Sequence, residues 1–247
     1  MERYKTRTGI RKLPSLLLGL VKAIIIAFLL YLLVSNIFIN TFQIKSVSME
    51  PILKPNDRVI VSIFSYGRES SLFKKRLGLN HSPKRGDIVI ITPPYVKGIG
   101  FWREIANTFV DFFSLHTATL LKDAAGNKYE RYMVKRVIAL PGDTVYMKNF
   151  IAYIKPQGST RYTIETKLIK KNYKITKTIK AKNWKNGLPF SGNMEPITLA
   201  ENQYFVLGDN RPDSSDSRSW GALDYSRIIG KVLLRYWPLN EFGKLSR

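Results

Sequence analysis

Met133-Val134-Lys135-Arg136-Val137-Ile138-Ala139-Leu140-Pro141-Gly142-Asp143 places two adjacent cations inside an apolar, β-branched run that ends at a Pro-Gly-Asp turn. Such a run reads as a β-strand. Side chains alternate across a strand, so Lys135 and Arg136 face opposite sides. One of them then points inward, and a buried cation needs a chemical reason. The alternative is an edge strand whose two cations both reach water. Outward from this segment the same texture repeats. Val59–Phe64, Asp87–Ile91, Thr144–Met147, Tyr162–Ile164, Tyr204–Leu207 and Ile228–Tyr236 read as further strands. Turns are marked by Lys54-Pro55-Asn56-Asp57, Pro83–Gly86, Pro141-Gly142-Asp143 and Gly208-Asp209-Asn210. The expected fold is mainly β: an antiparallel β core with an inserted β subdomain, preceded by one N-terminal transmembrane helix.

The helix comes from the N-terminus. Residues 1–22 carry Arg3, Lys5, Arg7, Arg11, Lys12 and Lys22 against Glu2, a net of +5. From Ala23 to Ile44 there is no charge. At about 1.5 Å per residue, that run is roughly 33 Å long as a helix and matches a hydrocarbon core of about 30 Å. The basic flank should stay cytoplasmic and put the rest of the chain outside. The expected organisation is therefore 1–22 cytoplasmic, 23–44 spanning, and 45–247 extracytoplasmic, with insertions at about 93–130 and 150–200. Ser46-Val47-Ser48 also has the small-x-small form of a signal cleavage site, although the uncharged run is long for a cleaved signal.

The 247 residues include 40 Lys+Arg and 18 Asp+Glu, a formal net charge of +22, with no Cys and only His81 and His116. Disulfides, Cys-ligated metals and a thiol nucleophile are excluded, and two histidines leave little for a metal site or a Ser-His-Asp triad. The charge alone suits nucleic acid, anionic membrane or a plain basic surface. Residues 151–186 hold ten cations against Glu165 alone, and read as a solvent-exposed β insertion. No helix-turn-helix or RNA-reading motif accompanies them, so no nucleic-acid partner is expected. Phe101–Phe113 places Phe101, Ile105, Phe109, Phe112 and Phe113 near one helical face, either packed on the β core or lying at the bilayer surface.

Four segments carry candidate chemistry. They are Lys45-Ser46-Val47-Ser48-Met49-Glu50-Pro51, directly after the uncharged run; Arg85-Gly86-Asp87; the Lys135-Arg136 strand with its turn; and Gly208-Asp209-Asn210-Arg211-Pro212-Asp213-Ser214-Ser215-Asp216-Ser217-Arg218-Ser219-Trp220-Gly221. In this order, behind a basic and then apolar N-terminus, they resemble bacterial type I signal peptidases. The chain has Lys45, Ile52 and Pro212 where members of that family often carry other residues. The resemblance implies a membrane-anchored serine endopeptidase that removes signal peptides from exported preproteins, with an antiparallel β catalytic core. It implies Ser48 as nucleophile, Lys135 as general base, and Ser46 with the Ser48 N–H as the oxyanion hole. Ser214 would orient the base, and Asp209, Arg211, Asp216 and Arg218 would brace the site. No metal or other cofactor is expected. Preprotein signal peptides and the lipid bilayer are the implied partners, at the inner membrane, a location compatible with the protein export machinery. The reading of another class is a membrane-tethered basic binding or scaffold protein without catalysis.

The chemistry of the pair can be argued separately. A serine hydroxyl attacks poorly until a base takes its proton, and lysine is a base only when neutral. At its ordinary pKa of about 10.4, roughly one lysine in 2,500 is neutral at pH 7. The apolar flank Met133, Val134, Val137 and Ile138 can supply desolvation. Arg136 cannot serve, because a guanidinium stays protonated. Ser48 follows Lys45 by three residues, about 10 Å of extended chain, which would hold it close to the outer membrane surface.

Overall fold

A computed structural model describes residues 12–37, 39–66, 68–69, 76–77, 81–96, 131–169, 173–177 and 192–245, with isolated positions between 102 and 110. Helix α1 covers Lys12–Ile37. Its side chains are described over Leu16–Leu30, where the leucines and isoleucines stand exposed. Among the described residues no helix is long and apolar enough to cross a membrane. The uncharged run divides rather than ending at Ile44, because β1 occupies Ile39–Gln43 and pairs with β2 (Arg58–Ser62). Strand pairing with the body overrides the helical option for these residues. The reach from Ile37 to Ser48 is then up to about 36 Å of extended chain, so chain length does not tie Ser48 to within about 10 Å of the helix end.

A short pair, β3 (Arg68–Glu69) with β4 (Arg76–Leu77), follows β2. The main antiparallel sheet adds β5 (Ile88–Ile91), β6 (Met133–Ala139), β11 (Gln203–Leu207), β12 (Leu223–Asp224) and β13 (Ile228–Trp237), with β14 (Gly243–Lys244) on β13. Its order is β1-β2-β13-β5-β6-β11-β12. A second sheet, β10-β7-β8-β9, is built from β7 (Thr144–Lys148), β8 (Ile151–Lys155), β9 (Thr163–Ile164) and β10 (Met194–Thr198).

The strand order buries both Lys135 and Arg136. Strand β6 lies between β5 and β11, with Lys135 opposite Val89 and Arg136 opposite both Ile88 and Leu207. It is not an edge strand, so neither cation reaches water: Lys135 is 2% and Arg136 1% exposed. One core cluster (Val59, Val61, Ile88, Ile90) packs around Ile44, Met49 and Leu53 and seats the segment that carries Ser48. Another (Ile138, Val145, Ile154, Phe205, Leu207) joins the two sheets.

The insertion is not simply solvent-exposed. Glu165, the one acid among its cations, is fully buried in a one-turn helix, Glu165–Leu168. Lys170, Lys171, Lys180, Lys182 and Lys185 lie outside the described residues, as do Phe101, Ile105, Phe112 and Phe113. Phe109 is described, and its ring stacks on Phe28 of α1 with centroids 4.3 Å apart.

Candidate active site

Ser48 begins a tight turn in which Glu50 N–H donates to Val47 O and Leu53 N–H to Met49 O. Buried Met49 anchors the turn in the core. The turn stands against β6, and Lys135 Nζ lies 2.8 Å from Ser48 Oγ, a contact spanning 87 residues of sequence. Ser46 Oγ is 3.1 Å from Ser48 Oγ, on the exposed side of the turn.

Lys135 is enclosed. Burial drives its pKa down, Asp216 pulls it up, Arg218 pushes it down, and Asp209 and Asp213 pull it up, leaving it at about 8 against an ordinary 10.5. At pH 7 about one molecule in ten is then neutral. The same shift costs stability. The unfolded chain holds the proton more tightly, so the penalty is complete below about 8 and fades as pH rises from there to 10.5.

Three buried ion pairs tie the segments of the site together. Arg136 grips Asp209 with Nε at 2.8 Å and Nη2 at 2.6 Å, and donates Nη1 to Gly86 O at 2.9 Å. Arg218 holds Asp216 through Nε and Nη2, both at 2.8 Å. Arg211 holds Glu165 at 2.8 and 2.7 Å and donates Nε to Gly208 O at 2.9 Å. Burial pushes the Asp216 and Glu165 carboxyls up, but their arginines more than reverse this, and both sit below the usual carboxylate range. Each charge is matched where it is desolvated, which is the condition for burying it at all.

Gly208 lies where this framework meets the Ser48 turn. A methyl group there would collide with Ser214 Oγ and with the backbone carbonyl of Ser48. Gly208→Ala is expected to displace the Ser48 turn from Lys135 and to lower turnover by about 100-fold, with a far smaller change in KM, which steady-state kinetics of the purified variant check.

Ser46, Ser48, Lys135, Asp209, Arg211, Ser214, Asp216 and Arg218 thus converge. Ser214 differs in detail: its Oγ is buried without a hydrogen-bond partner among the described residues, and no bond joins it to Lys135. Four contributors were not among the expected residues. Arg136 is the partner of Asp209. Glu165 and Tyr173 come from the insertion, with Tyr173 OH donating to Glu165 at 2.6 Å and the Arg136 guanidinium 4.2 Å over the Tyr173 ring. Thr176 bridges to Asn210, its N–H donating to Asp209 O and its carbonyl accepting from Arg211 N–H. The signal available for Glu165 was its isolation as the one acid among ten cations.

Residues 17–237 match the family described as Signal peptidase, peptidase S26. Signal peptidase IB of Staphylococcus aureus is 31% identical over 228 residues, covering 92% of each chain. Signal peptidase I of Bacillus licheniformis is 29% identical over 225 residues, 91% of this chain and 90% of that one. A crystal structure of a signal peptidase I from Enterococcus faecalis is 23% identical, covers 61% of this chain and 97% of that one, and overlays with a TM-score of 0.32. The chain belongs to the type I signal peptidase family, peptidase S26, whose members are serine-type peptidases.

Proposed function

We propose that the protein is a membrane-anchored endopeptidase that removes signal peptides from exported preproteins, with Ser48 as nucleophile and Lys135 as general base. The observation that carries this reading is the 2.8 Å contact between Ser48 Oγ and the enclosed Lys135 Nζ, in a chain of the signal peptidase family. The neutral amine accepts the Ser48 proton as Oγ attacks the scissile carbonyl. The resulting ammonium then gives that proton to the leaving amine, and an acyl group remains on Ser48. Water, deprotonated by the same amine, releases it. The oxyanion of each tetrahedral intermediate is received by the Ser48 N–H and the Ser46 hydroxyl.

Helix α1 acts as the anchor in this reading, with residues 1–22 in the cytoplasm and the β body outside. The cationic N-terminus and the exposed isoleucines and leucines of Ile24–Leu30 support it. The preprotein's cleavage segment binds extended against an open strand edge. Incubating the full-length protein in detergent or vesicles with a purified preprotein, and weighing the products, tests the whole reading. A single cut after a small residue is expected. No cut, or cuts scattered through the mature part, would overturn it.

A further inference from the structure

Ser48 is held from two directions, and only one of them is its side chain. Asn210 is buried beside the turn and grips two consecutive carbonyls. Its side-chain Nδ2 donates to Val47 O at 3.1 Å, and its backbone N–H donates to Ser48 O at 3.0 Å. Val47 O also accepts from Glu50 N–H at 3.0 Å, so this carbonyl is fixed by two donors. The Val47–Ser48 peptide is planar and trans, so fixing its C=O fixes its N–H, which points the opposite way. No described group accepts from the Ser48 N–H. The clamp is itself braced, because the backbone of the flanking Asp209 and Arg211 bonds to Thr176 and the Arg211 guanidinium is locked on Glu165.

We propose that Asn210 is the positioning residue of the oxyanion site: its amide clamps the Val47–Ser48 peptide and holds the Ser48 N–H, before substrate arrives, on the face turned away from the 208–211 loop. The inference rests on the Ser48–Lys135 reading above and adds a residue to it. Asn210 bonds to neither Lys135 Nζ nor Ser48 Oγ among the described contacts, and acts through the aim of one donor. A preset donor costs no reorganisation when charge develops on the carbonyl oxygen, and a donor swung off line forfeits that advantage. An interaction made only in the transition state affects kcat and kcat/KM equally and leaves KM alone.

The test compares the full-length wild type with Asn210→Ala and Asn210→Asp. The readouts are kcat and KM on a purified preprotein, the inhibition constant of a peptide aldehyde matching its cleavage site, the pH midpoint of kcat/KM, and Tm. Asn210→Ala removes the donor to Val47 O and keeps the backbone bond to Ser48 O. A kcat about 10- to 100-fold lower is expected, with KM within about two-fold. The aldehyde forms a tetrahedral adduct on the serine, so its affinity should fall by the same factor as kcat. The pH midpoint should stay at the wild-type value, because the lysine is untouched. Asn210→Asp is nearly isosteric but presents an acceptor to an acceptor, and its loss should be at least as large. An unchanged aldehyde affinity, a loss confined to KM, or a pH midpoint shifted in Asn210→Ala would overturn the role of Asn210 while leaving the dyad standing. A wild type that neither cleaves the preprotein nor binds the aldehyde would overturn both.

Discussion

Ser48→Ala should lower kcat on a preprotein by on the order of a million-fold while leaving Tm and the far-UV spectrum close to wild type. Lys135→Arg should be almost as damaging. Arginine keeps the positive charge and most of the length, but a guanidinium does not give up its proton at any working pH, so the serine has no base. Residues that act as one unit lose nearly everything when either is removed, and the double variant should be no slower than the worse single. Turnover assays with the active-site concentration fixed by titration check this. Lys135→Arg retaining a tenth of wild-type turnover would remove lysine from the proposed mechanism. Ser48→Ala retaining it would remove the serine.

The second large effect is on stability and lies outside the Ser48–Lys135 contact. Glu165→Gln should destabilise the protein by about 3–5 kcal/mol, on the order of 10 °C in Tm, because Arg211 stays charged and buried without its counter-ion. Both carboxylate oxygens are used: one accepts from Arg211 and Ala152 N–H, the other from Arg211 and Tyr173 OH. A glutamine amide in the same place accepts through its oxygen alone. Pairing Glu165→Leu with Arg211→Met should recover much of the loss, since an apolar pair needs no desolvation of charge. The carboxyl is held below its ordinary 4.5, so its contribution is present above that pH and disappears as pH falls through the depressed value. Thermal melts of the single and double variants at neutral pH check the argument. A double variant no better than Glu165→Gln would show that Arg211 matters through Gly208 and Phe150 rather than through charge balance.

The main strands were legible because their β-branched runs are bounded by turn residues with clear signals. Strand β1 was not, because Ile39–Gln43 continues an apolar run from α1 and only its pairing with β2 shows where the helix stops. Strands β8 and β10 were missed for a related reason. Lysine and glutamate at Lys155 and Glu195 blur a pattern that cross-strand partners then impose. Within the site, the short strings around Ser48, Lys135 and Asp209–Arg218 were readable from local sequence. Their pairings were not, since Arg136–Asp209 and Arg211–Glu165 join residues 73 and 46 positions apart. Lys135 and Arg136 were expected to part company across the strand. Burying both takes a sheet whose two faces are each covered, one by the Ser48 turn and the other by Asp209 and Tyr173.

The dependence of wild-type kcat/KM on pH asks whether a lysine works here as a neutral base. The acid limb should rise as pH increases through about 8, where the enclosed Lys135 loses its proton, and Gly208→Ala should retain that midpoint at lower amplitude. A rate flat from about pH 5 to about pH 9 would contradict the account, as would an acid limb centred at the ordinary lysine value.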